Sequence, residues 1–329
     1  MAKIIIIILI SIILVFTGEI IFNKNYHFPP KINFGVTFSP RYAGYLNLDW
    51  QKIYLDILDN LKVKNLRIPI YWDEVQKEVG KFDFEETDFI ANEADKRGVN
   101  LILGLGYKQP RWPECYIPAW AKNLSITQRQ QKILELVRVV VERYEVRRAI
   151  RAWQIENEPL LPLFGEGCDP VDKNFLKQEV SLVRNLSHKP IIVTESGEFG
   201  FFVTAMRLSD QLGISVYRKT YDPILGYKIY PLLPYMYNLK SSLVQKLFAP
   251  NNQKTIITEL QAEPWLKDGI FSQKASAQSE FFPVQELKNY INYAKQTGFD
   301  EMYLWGVEWW YFMAKNGHPE YLEYAKTLF

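Results

Sequence analysis

The sequence predicts a single α/β domain folded as a (β/α)8 TIM barrel, with an apolar segment at its N-terminus. Eight short apolar runs alternate with amphipathic stretches of helical periodicity along a chain of 329 residues, a length at which such barrels form one domain. An open doubly wound sheet would usually carry a glycine-rich phosphate turn after its first strand, but this chain reads Phe38-Ser39-Pro40-Arg41-Tyr42 there. No internal repeat or linker marks a second domain, so we assign residues 32–329 to the barrel.

The eight runs are short and rich in β-branched residues or leucine, as expected for strands buried on both faces of a parallel sheet. They are Ile32–Phe38, Lys64–Ile70, Asn100–Gly106, Ile150–Ile155, Pro190–Thr194, Gly213–Tyr217, Lys254–Thr258 and Glu301–Trp305. Helical patterns separate them at Trp50–Leu61, Glu85–Arg97, Thr127–Tyr144, Lys173–Leu186 and Val284–Gln296. Gly98, Gly213 and Gly298 are predicted to end helices just before a strand. The stretch Tyr221–Asn252 is predicted to hold the loop after the sixth strand and its helix.

Residues 1–22 are predicted to be a signal peptide or a membrane anchor, and residues 23–31 a tether. Residues 4–16 form an almost wholly apolar run after Lys3, which suits a signal sequence and is shorter than the ~20 residues needed to span a bilayer. No small-x-small cleavage site follows, and Ile20–Phe22 extends the apolar stretch. Cleavage and retention as an anchor both stay open, with a buried strand as a third alternative. We therefore expect an extracellular or cell-surface protein, secreted or attached to the membrane through this segment.

Composition excludes several classes of partner. A formal net charge of +2 without a basic stripe gives no reason to expect nucleic acid. Two cysteines and three histidines provide no spacing suited to zinc, so we predict neither a metal nor an organic cofactor. We expect a monomer. The nine tryptophans are more numerous than a core readily absorbs, because indole carries a polar N–H and often lies half-exposed at binding surfaces.

Acidic side chains stand at the ends of two predicted strands. In a (β/α) barrel the catalytic groups lie where strands end, on the C-terminal face. The fourth strand is followed by Glu156-Asn157-Glu158-Pro159, and the seventh ends at Glu259. Carboxyls at these two ends face each other across the barrel mouth. Cleavage of a glycosidic bond needs this arrangement, because one carboxyl protonates the leaving oxygen while the other attacks or stabilises C1. Buried salt bridges at the strand ends are the non-catalytic alternative.

Three motifs resemble the "4/7" superfamily (clan A) of glycoside hydrolases, which includes cellulases, mannanases and β-galactosidases. They are Asn157-Glu158-Pro159 after Trp153, Thr258-Glu259 about a hundred residues later, and Trp305 on the last strand. The resemblance extends over residues 33–310 and implies a (β/α)8 catalytic domain. It also implies hydrolysis of β-glycosidic bonds in poly- or oligosaccharides by double displacement, with retention of configuration.

The resemblance further implies roles for particular side chains. Glu158 would be the acid/base and Glu259 the nucleophile. The surrounding carbohydrate-binding residues would be Asn157 at the sugar 2-hydroxyl, Arg67 and Tyr217 beside the nucleophile, and Trp305 beneath the ring. Elementary electrostatics agrees with the two catalytic roles. A guanidinium from Arg67 favours an ionised Glu259, whereas burial and the charge of Glu259 favour a protonated Glu158.

Two departures stand beside this resemblance. By strict strand alternation Glu156 and Glu158 share a face and Asn157 points away, so Asn157 enters the site only if the strand ends or bulges there. Many superfamily members place a histidine near the sixth strand or beside the acid/base. This chain has only His27, His188 and His318. The subfamily therefore stays open.

Further aromatic and acidic residues follow strands on the same face. Flat rings suit the C–H faces of sugars, and the tryptophans predicted to contact carbohydrate in addition to Trp305 are Trp72, Trp112, Trp265 and Trp309. Three other carboxylates near the predicted strand ends are not predicted to be catalytic. Glu195 ends the fifth strand and is a weaker candidate for contact with substrate, Glu263 is expected to be structural, and Glu308 is expected at a solvated loop position.

The two cysteines are predicted to form a disulfide, with two free thiols as the alternative. Cys115 lies in the loop after the third strand and Cys168 in the loop after the fourth, and these loops emerge side by side. In the chain-entropy model, closing a loop of this length contributes about 4 kcal/mol. The bridge would staple the loop next to Glu158.

Two other functions compete with hydrolysis. A non-catalytic carbohydrate-binding barrel displayed at the cell surface would bind sugar without cleaving it. A barrel enzyme acting on phosphorylated metabolites would carry glycines for phosphate after the seventh and eighth strands. Those loops instead read Leu260-Gln261-Ala262-Glu263 and Val307-Glu308-Trp309, which disfavours this reading. The sugar, the linkage and the choice between endo and exo action stay open.

Overall fold

The structure is a computed structural model that describes residues 29–162, 165–170, 172–249 and 254–329. The predicted signal or anchor segment and most of the predicted tether lie outside these residues. Within the described ranges, no helix combines the length and apolar character that crossing a membrane requires.

Eight parallel strands close into a barrel, which confirms the predicted fold class. The barrel strands are β1 (Asn33–Thr37), β2 (Asn65–Pro69), β3 (Asn100–Leu105), β4 (Ile150–Ile155), β5 (Ile191–Ser196), β6 (Gln211–Val216), β9 (Lys254–Gln261) and β10 (Glu301–Trp305). An antiparallel hairpin of β7 (Lys219–Asp222) and β8 (Gly226–Ile229) follows β6. The seventh and eighth strands of the barrel are thus β9 and β10. The barrel closes where β10 pairs with β1, from Asn33 opposite Glu301 to Thr37 opposite Trp305.

Helices surround the barrel and connect its strands. They are α1 (Pro40–Tyr45), α2 (Trp50–Asp59), α3 (Trp72–Val75), α4 (Glu85–Arg97), α5 (Ile126–Tyr144), α6 (Lys173–Leu186), α7 (Val203–Leu208), α8 (Pro234–Phe248), α9 (Ala275–Phe281), α10 (Val284–Lys295), α11 (Val307–Lys315) and α12 (Glu320–Ala325). The five predicted helices match to within two residues. Side-chain caps define several starts. Ser125 and Gln128 form a capping box at α5, and Asp172 accepts hydrogen bonds from the first turn of α6.

The barrel has an inner and an outer core. Side chains of β3, β4, β5, β9 and β10 form a separate buried cluster that fills the interior, made of Ile102, Ala152, Ile192, Ile256 and Tyr303. A much larger cluster packs the outer faces of the strands against the helices. Burial on both faces explains why these strands read as continuous apolar runs rather than as alternating patterns.

The loops after β3 and β4 are joined covalently. Cys115 and Cys168 form a disulfide with their Cα atoms 5.3 Å apart, and their sequence separation is 53 residues. The predicted bridge is therefore confirmed. It ties together the two loops that follow neighbouring strands on the C-terminal face of the barrel.

Of the three glycines predicted to end a helix, two do so, and the prediction for Gly213 is wrong. Gly98 and Gly298 follow α4 and α10 with φ of 60° and 83°, as a left-handed helix end requires. Gly213 instead lies inside β6, paired with Thr194 on one side and Ile256 on the other. A Cβ there would stand 2.6 Å from Thr258 Cγ2 and 2.8 Å from Thr194 Cγ2. Glycine is needed at this position because the neighbouring threonines leave no room for a side chain.

We predict that Gly213→Ala lowers the free energy of unfolding by about 1–3 kcal/mol, because two threonine methyls must move. The matched control is Gly44→Ala in α1, where an added Cβ meets nothing within 4 Å. That change replaces glycine by alanine within a helix and should be neutral or stabilising by up to about 1 kcal/mol. Urea unfolding of both variants measures the difference. Equal stability of the two would contradict the close packing around β6.

Candidate active site

A cavity of about 1070 Å³ opens at the C-terminal ends of the barrel strands. The predicted site residues that line it, besides three tryptophans considered below, are Asn157, Glu158, Tyr217 and Glu259. Within the part of the chain that is described, no group of three or more His, Cys, Asp and Glu side chains is arranged to hold a metal ion.

The backbone after β4 leaves the extended conformation. β4 ends at Ile155, and Glu156 and Glu158 have φ of 56° and 45°, in the left-handed region that non-glycine residues seldom adopt. Hydrogen bonds hold this turn, since Asn157 N donates to Lys108 O at 2.7 Å and Glu158 N to Thr194 Oγ1 at 2.8 Å. The alternation of faces therefore stops at the strand end. This is why neighbouring Asn157 and Glu158 both line the cavity.

Glu156 points away from the cavity and supports the turn. Its carboxyl accepts hydrogen bonds from Tyr107 N at 3.1 Å and Lys108 N at 2.6 Å. It also faces the buried carboxyl of Glu179 on α6, whose oxygens find no donor among the described groups. Burial raises the pKa of Glu156 to about 7, while the contact with Glu179 and the two backbone N–H donors work in the opposite direction. Burial and the charge of Glu156 raise the pKa of Glu179 well above its ordinary value, so Glu179 holds the proton between the two carboxyls.

An extra residue in β9 places Glu259. The register between β6 and β9 runs from Ile214 opposite Ile257 to Ser215 opposite Glu259, so Thr258 is unpaired in this ladder. A bulge of this kind changes the direction of the side chains beside it. Glu259 thus lies opposite Ser215, whose hydroxyl contacts Glu158.

Arg67, on β2, joins three elements of the site. Its guanidinium donates to Glu259 Oε1 at 2.7 Å, to Asn157 Oδ1 at 2.7 Å and to Gln154 Oε1 at 2.6 Å. The side chain is 1% exposed. Tyr217 OH donates to the other Glu259 oxygen at 2.8 Å. Both oxygens of Glu259 therefore have donors, and Asn157 is oriented with its amide nitrogen left to face the cavity.

Glu158 lies in a different environment. Its Oε1 accepts a hydrogen bond from Ser215 Oγ at 2.7 Å, and its side chain is buried. Burial, followed by the negative charge of Glu259, raises its pKa to about 8, while the Ser215 hydroxyl works in the opposite direction. Glu158 is consequently protonated at neutral pH. Its neighbour Glu259 differs in being paired with the guanidinium of Arg67.

Three of the predicted tryptophans line the cavity. Trp112 is 66% exposed at its rim. Trp265 packs edge-on against the ring of Tyr217, with centroids 5.5 Å apart. Trp305 is nearly buried, and the guanidinium of Arg111 lies 4.1 Å from its ring centroid. These rings surround the two carboxyls with aromatic surface.

The prediction that Trp72 and Trp309 contact carbohydrate is wrong. Both side chains are fully buried outside the cavity. Trp72 Nε1 donates to Gln76 Oε1 at 2.8 Å, and Trp309 Nε1 donates to Gln278 Oε1 at 2.7 Å. Each tryptophan lies in a helix that begins directly after its strand, α3 or α11, rather than in a loop. The helical backbone turns each indole into the packing between helices and barrel.

The expectation that Glu308 lies at a solvated loop position is also wrong. Glu308 is fully buried and accepts from Ser39 N at 2.6 Å and from Arg111 at 2.7 Å. Arg111 also pairs with Glu263, which agrees with the structural role expected there. Glu195 does not line the cavity, and its carboxyl accepts from Phe202 N at 2.9 Å at the start of α7.

Sequence reasoning missed several groups around Glu158. Ser215 was a lone serine in a predicted strand and offered no signal. Glu114, next to Cys115, lines the cavity, and burial raises its pKa to about 7. Lys108 Nζ donates to the backbone oxygen of Glu158 at 3.1 Å and lies 3.5 Å from Glu114 Oε2. Their positions in the loop after β3 were the available signal, because that loop emerges beside the fourth strand.

Known proteins similar to this chain are glycoside hydrolases. No family model matches the chain. A mannan endo-1,4-β-mannosidase A from Emericella nidulans is 26% identical over 138 residues, which cover 37% of this chain and 33% of the relative. The chain thus matches about a third of that curated relative's length.

Solved structures share the fold at low sequence identity. The GH5_18 protein of Streptomyces cattleya, solved with GlcNAc, has a TM-score of 0.58 at 11% identity over 84% of this chain and 70% of its own. A β-glucosidase from Exiguobacterium marinum has a TM-score of 0.54 at 13% identity, covering 85% and 89%. A β-galactosidase from Marinomonas ef1 has a TM-score of 0.55 at 12% identity, covering 83% and 54%. The mannosidase bears out the predicted resemblance to glycoside hydrolases, and the solved structures share the predicted barrel fold.

We predict that Glu259→Gln lowers the pKa of Glu158 below about 8, because the charge of Glu259 is one of the causes that raise it. Carbon-13 NMR of labelled glutamate carboxyls, assigned with Glu158→Gln, measures the titration. Glu195→Gln is the control, since its carboxyl lies outside the cavity, and it should leave the titration of Glu158 unchanged. An unchanged pKa in Glu259→Gln would mean that the two carboxyls do not face each other.

Proposed function

We propose that residues 32–329 form a retaining glycoside hydrolase domain that cleaves β-glycosidic bonds of poly- or oligosaccharides, with Glu158 as acid/base and Glu259 as nucleophile. One observation carries this proposal. A buried carboxyl whose pKa is raised to about 8 lies in one cavity with a second carboxylate held by Arg67 and Tyr217. Two carboxyls that lie in one site but in such different environments are typical of an acid and nucleophile pair. Similarity to a mannanase and to glycosidase folds supports the class of substrate.

In the first step Glu259 attacks the anomeric carbon of a bound sugar while Glu158 gives its proton to the glycosidic oxygen. The C1–O bond breaks with its electron pair remaining on that oxygen, and the aglycone leaves as an alcohol. A covalent glycosyl ester with Glu259 remains. Arg67 and Tyr217 hold the attacking carboxylate in one orientation, so less motion is needed to reach the reactive geometry.

In the second step Glu158 acts as a base. Glu158 is ionised after giving up its proton, and esterification removes the charge of Glu259, so one cause of the raised pKa of Glu158 disappears and its ionised form costs less. That carboxylate takes a proton from water as the water oxygen attacks C1. The bond to Glu259 breaks, and the sugar is released with its original configuration.

The surrounding side chains supply substrate contacts. Asn157 presents its amide N–H groups to the sugar 2-hydroxyl, because its oxygen is held by Arg67. Trp305 offers a ring beneath the sugar at the bond that is cleaved, and Trp265 and Trp112 extend the aromatic surface toward the rim.

We further propose that the protein acts outside the cell or at its surface. The apolar run at residues 4–16 supports export. The Cys115–Cys168 disulfide supports it as well, since such bonds persist in oxidising compartments.

We predict that Glu259→Ala reduces the turnover of aryl β-glycosides by about 10³-fold or more, a loss of about 4 kcal/mol of transition-state stabilisation. Azide fits the space left by the carboxylate and should restore turnover with an α-glycosyl azide as product. A panel of nitrophenyl mannosides, glucosides and galactosides, with mannan and glucan, first identifies the substrate for wild-type protein. Glu195→Gln, which changes a strand-end carboxyl outside the cavity, is the control and should keep activity. Full activity of Glu259→Ala would remove the assignment, and binding without hydrolysis by wild type would favour the non-catalytic barrel.

We predict that kcat/KM falls as pH rises through about 8, because Glu158 must carry a proton to act as the acid. Ser215→Ala should move this alkaline limb to higher pH, since its hydroxyl favours the ionised form of Glu158. The pH profile of kcat/KM for both proteins measures the shift. A limb displaced to lower pH in Ser215→Ala would contradict the role of Glu158.

A further inference from the structure

Exposed apolar side chains are concentrated in one stretch of the chain. Of the 18 exposed large hydrophobic side chains among the described residues, 12 fall between Phe199 and Phe248. Single exposed apolar residues are common on soluble proteins, but a concentration in one region indicates an interaction surface. This region contains the β7–β8 hairpin and helix α8.

Helix α8 turns most of its aliphatic side chains toward solvent rather than toward the barrel. The residues that it buries are Tyr237 and Ser241, and the Ser241 hydroxyl contacts the Thr255 hydroxyl on β9 at 2.6 Å. Its apolar residues recur every three or four positions and so form one stripe along the helix. They are all exposed, up to 68% for Leu247: Met236, Leu239, Leu243 and Leu247. The helix therefore packs on the barrel through Tyr237, Ser241 and the partly buried Val244, and turns its aliphatic stripe outward.

The hairpin that precedes α8 in the chain also exposes apolar side chains. Ile224 and Leu225 at its turn are 92% and 72% exposed, and Ile229 on β8 is exposed as well. The chain then passes through exposed Leu233 directly into α8. We call the apolar face the set formed by the hairpin and the helix stripe, namely Ile224, Leu225, Ile229, Met236, Leu239, Leu243 and Leu247.

Helix α8 carries only positive charge, since it contains Lys240 and Lys246 and no aspartate or glutamate. At the hairpin the charges are paired, because Lys228 Nζ lies 2.9 Å from Asp222. At about 100° per residue, Lys240 lies on one side of the α8 stripe and Lys246 on the other. An aliphatic stripe between lysines is the pattern of helices that lie in a membrane interface, where lysines reach the headgroups beside buried aliphatic chains.

We propose that the apolar face docks onto a lipid bilayer with anionic headgroups, with α8 lying in the plane of the interface. Lys246 beside the stripe and the absence of acidic residues from α8 favour an anionic lipid surface. The N-terminal sequence agrees, since the apolar run at residues 4–16 is followed by only 12 residues before residue 29, which span at most roughly 40 Å when extended. Where the apolar run is retained as an anchor, a segment of this length keeps the barrel near the membrane, and the apolar face then sets its orientation.

Docking in this way brings the cavity to the membrane. The hairpin that carries Ile224 and Leu225 also contributes Tyr221, Pro223 and Tyr230 to the cavity lining. The proposal does not depend on hydrolysis, because it concerns a surface outside the cavity and is tested by lipid contact alone.

The test uses the full chain with an environment-sensitive nitrobenzoxadiazole label at Leu243→Cys, and the same label at Val146→Cys as the matched control. Val146 is 86% exposed and follows α5, which precedes β4, so it lies away from α8. With vesicles of phosphatidylcholine and phosphatidylglycerol, emission at position 243 should shift to the blue and rise by about threefold, the response of a probe that leaves water. Emission at position 146 should not change, and phosphatidylcholine alone should give a smaller rise.

Three results would overturn the proposal. Vesicles that sediment with the protein without changing the label at 243 would mean that the N-terminal segment alone attaches the barrel. A rise that depends on protein concentration without vesicles would assign the face to a second copy of the chain. A blue-shifted label at every concentration without vesicles would assign it to the chain's own N-terminal segment.

A second variant removes the aliphatic stripe and keeps the label. Met236→Ser, Leu239→Ser and Leu247→Ser in the labelled Leu243→Cys protein should reduce the vesicle-induced rise by at least about half, because apolar area drives interfacial binding. These side chains are exposed and lie outside the cavity, so Tm and the hydrolysis of soluble aryl glycosides serve as controls and should not change. An undiminished rise in this variant would contradict the assignment.

Discussion

The buried guanidinium of Arg67 is the interaction on which the rest of the site depends. It lies at 1% exposure on β2 and donates to side chains on or directly after β4 and β9. A buried charge is costly unless every direction around it finds a partner. Gln154, Asn157 and Glu259 provide those partners. The positions of the amide and of the carboxylate are therefore set by one group inside the closed barrel.

The two carboxyls differ because regular strand geometry fails at two places. The two residues with left-handed backbone angles after β4 direct Glu158 into a buried position beside Ser215. The extra residue in β9 brings Glu259 opposite that same serine. Regular strands alternate their faces, so neither arrangement arises without a break in pattern. Close packing at Gly213, between the threonines that adjoin these two breaks, keeps the backbones near each other.

The chain also divides its apolar residues between two uses. Those of the strands and of most helices fill the inner and outer cores, whereas those of α8 and the hairpin turn outward. Since the hairpin forms a wall of the cavity as well, the surface proposed to meet lipid and the site proposed to meet carbohydrate have the hairpin in common.

By itself, the sequence determined the eight strands, five of the helices, the pairing of the cysteines and the two strand ends that carry Glu158 and Glu259. Each of these follows from local periodicity, or from the rule that parallel strands end on the same face of a barrel. Only the tertiary structure decided that Asn157 faces the cavity, that Trp72 and Trp309 are buried, and that Gly213 belongs to a strand. Those outcomes depend on backbone angles where periodicity ends, and on partners far away in the sequence, as with Thr258 beside Gly213 or Glu308 beside Arg111. Side-chain direction at such positions is set by contacts that exist only once the barrel has closed.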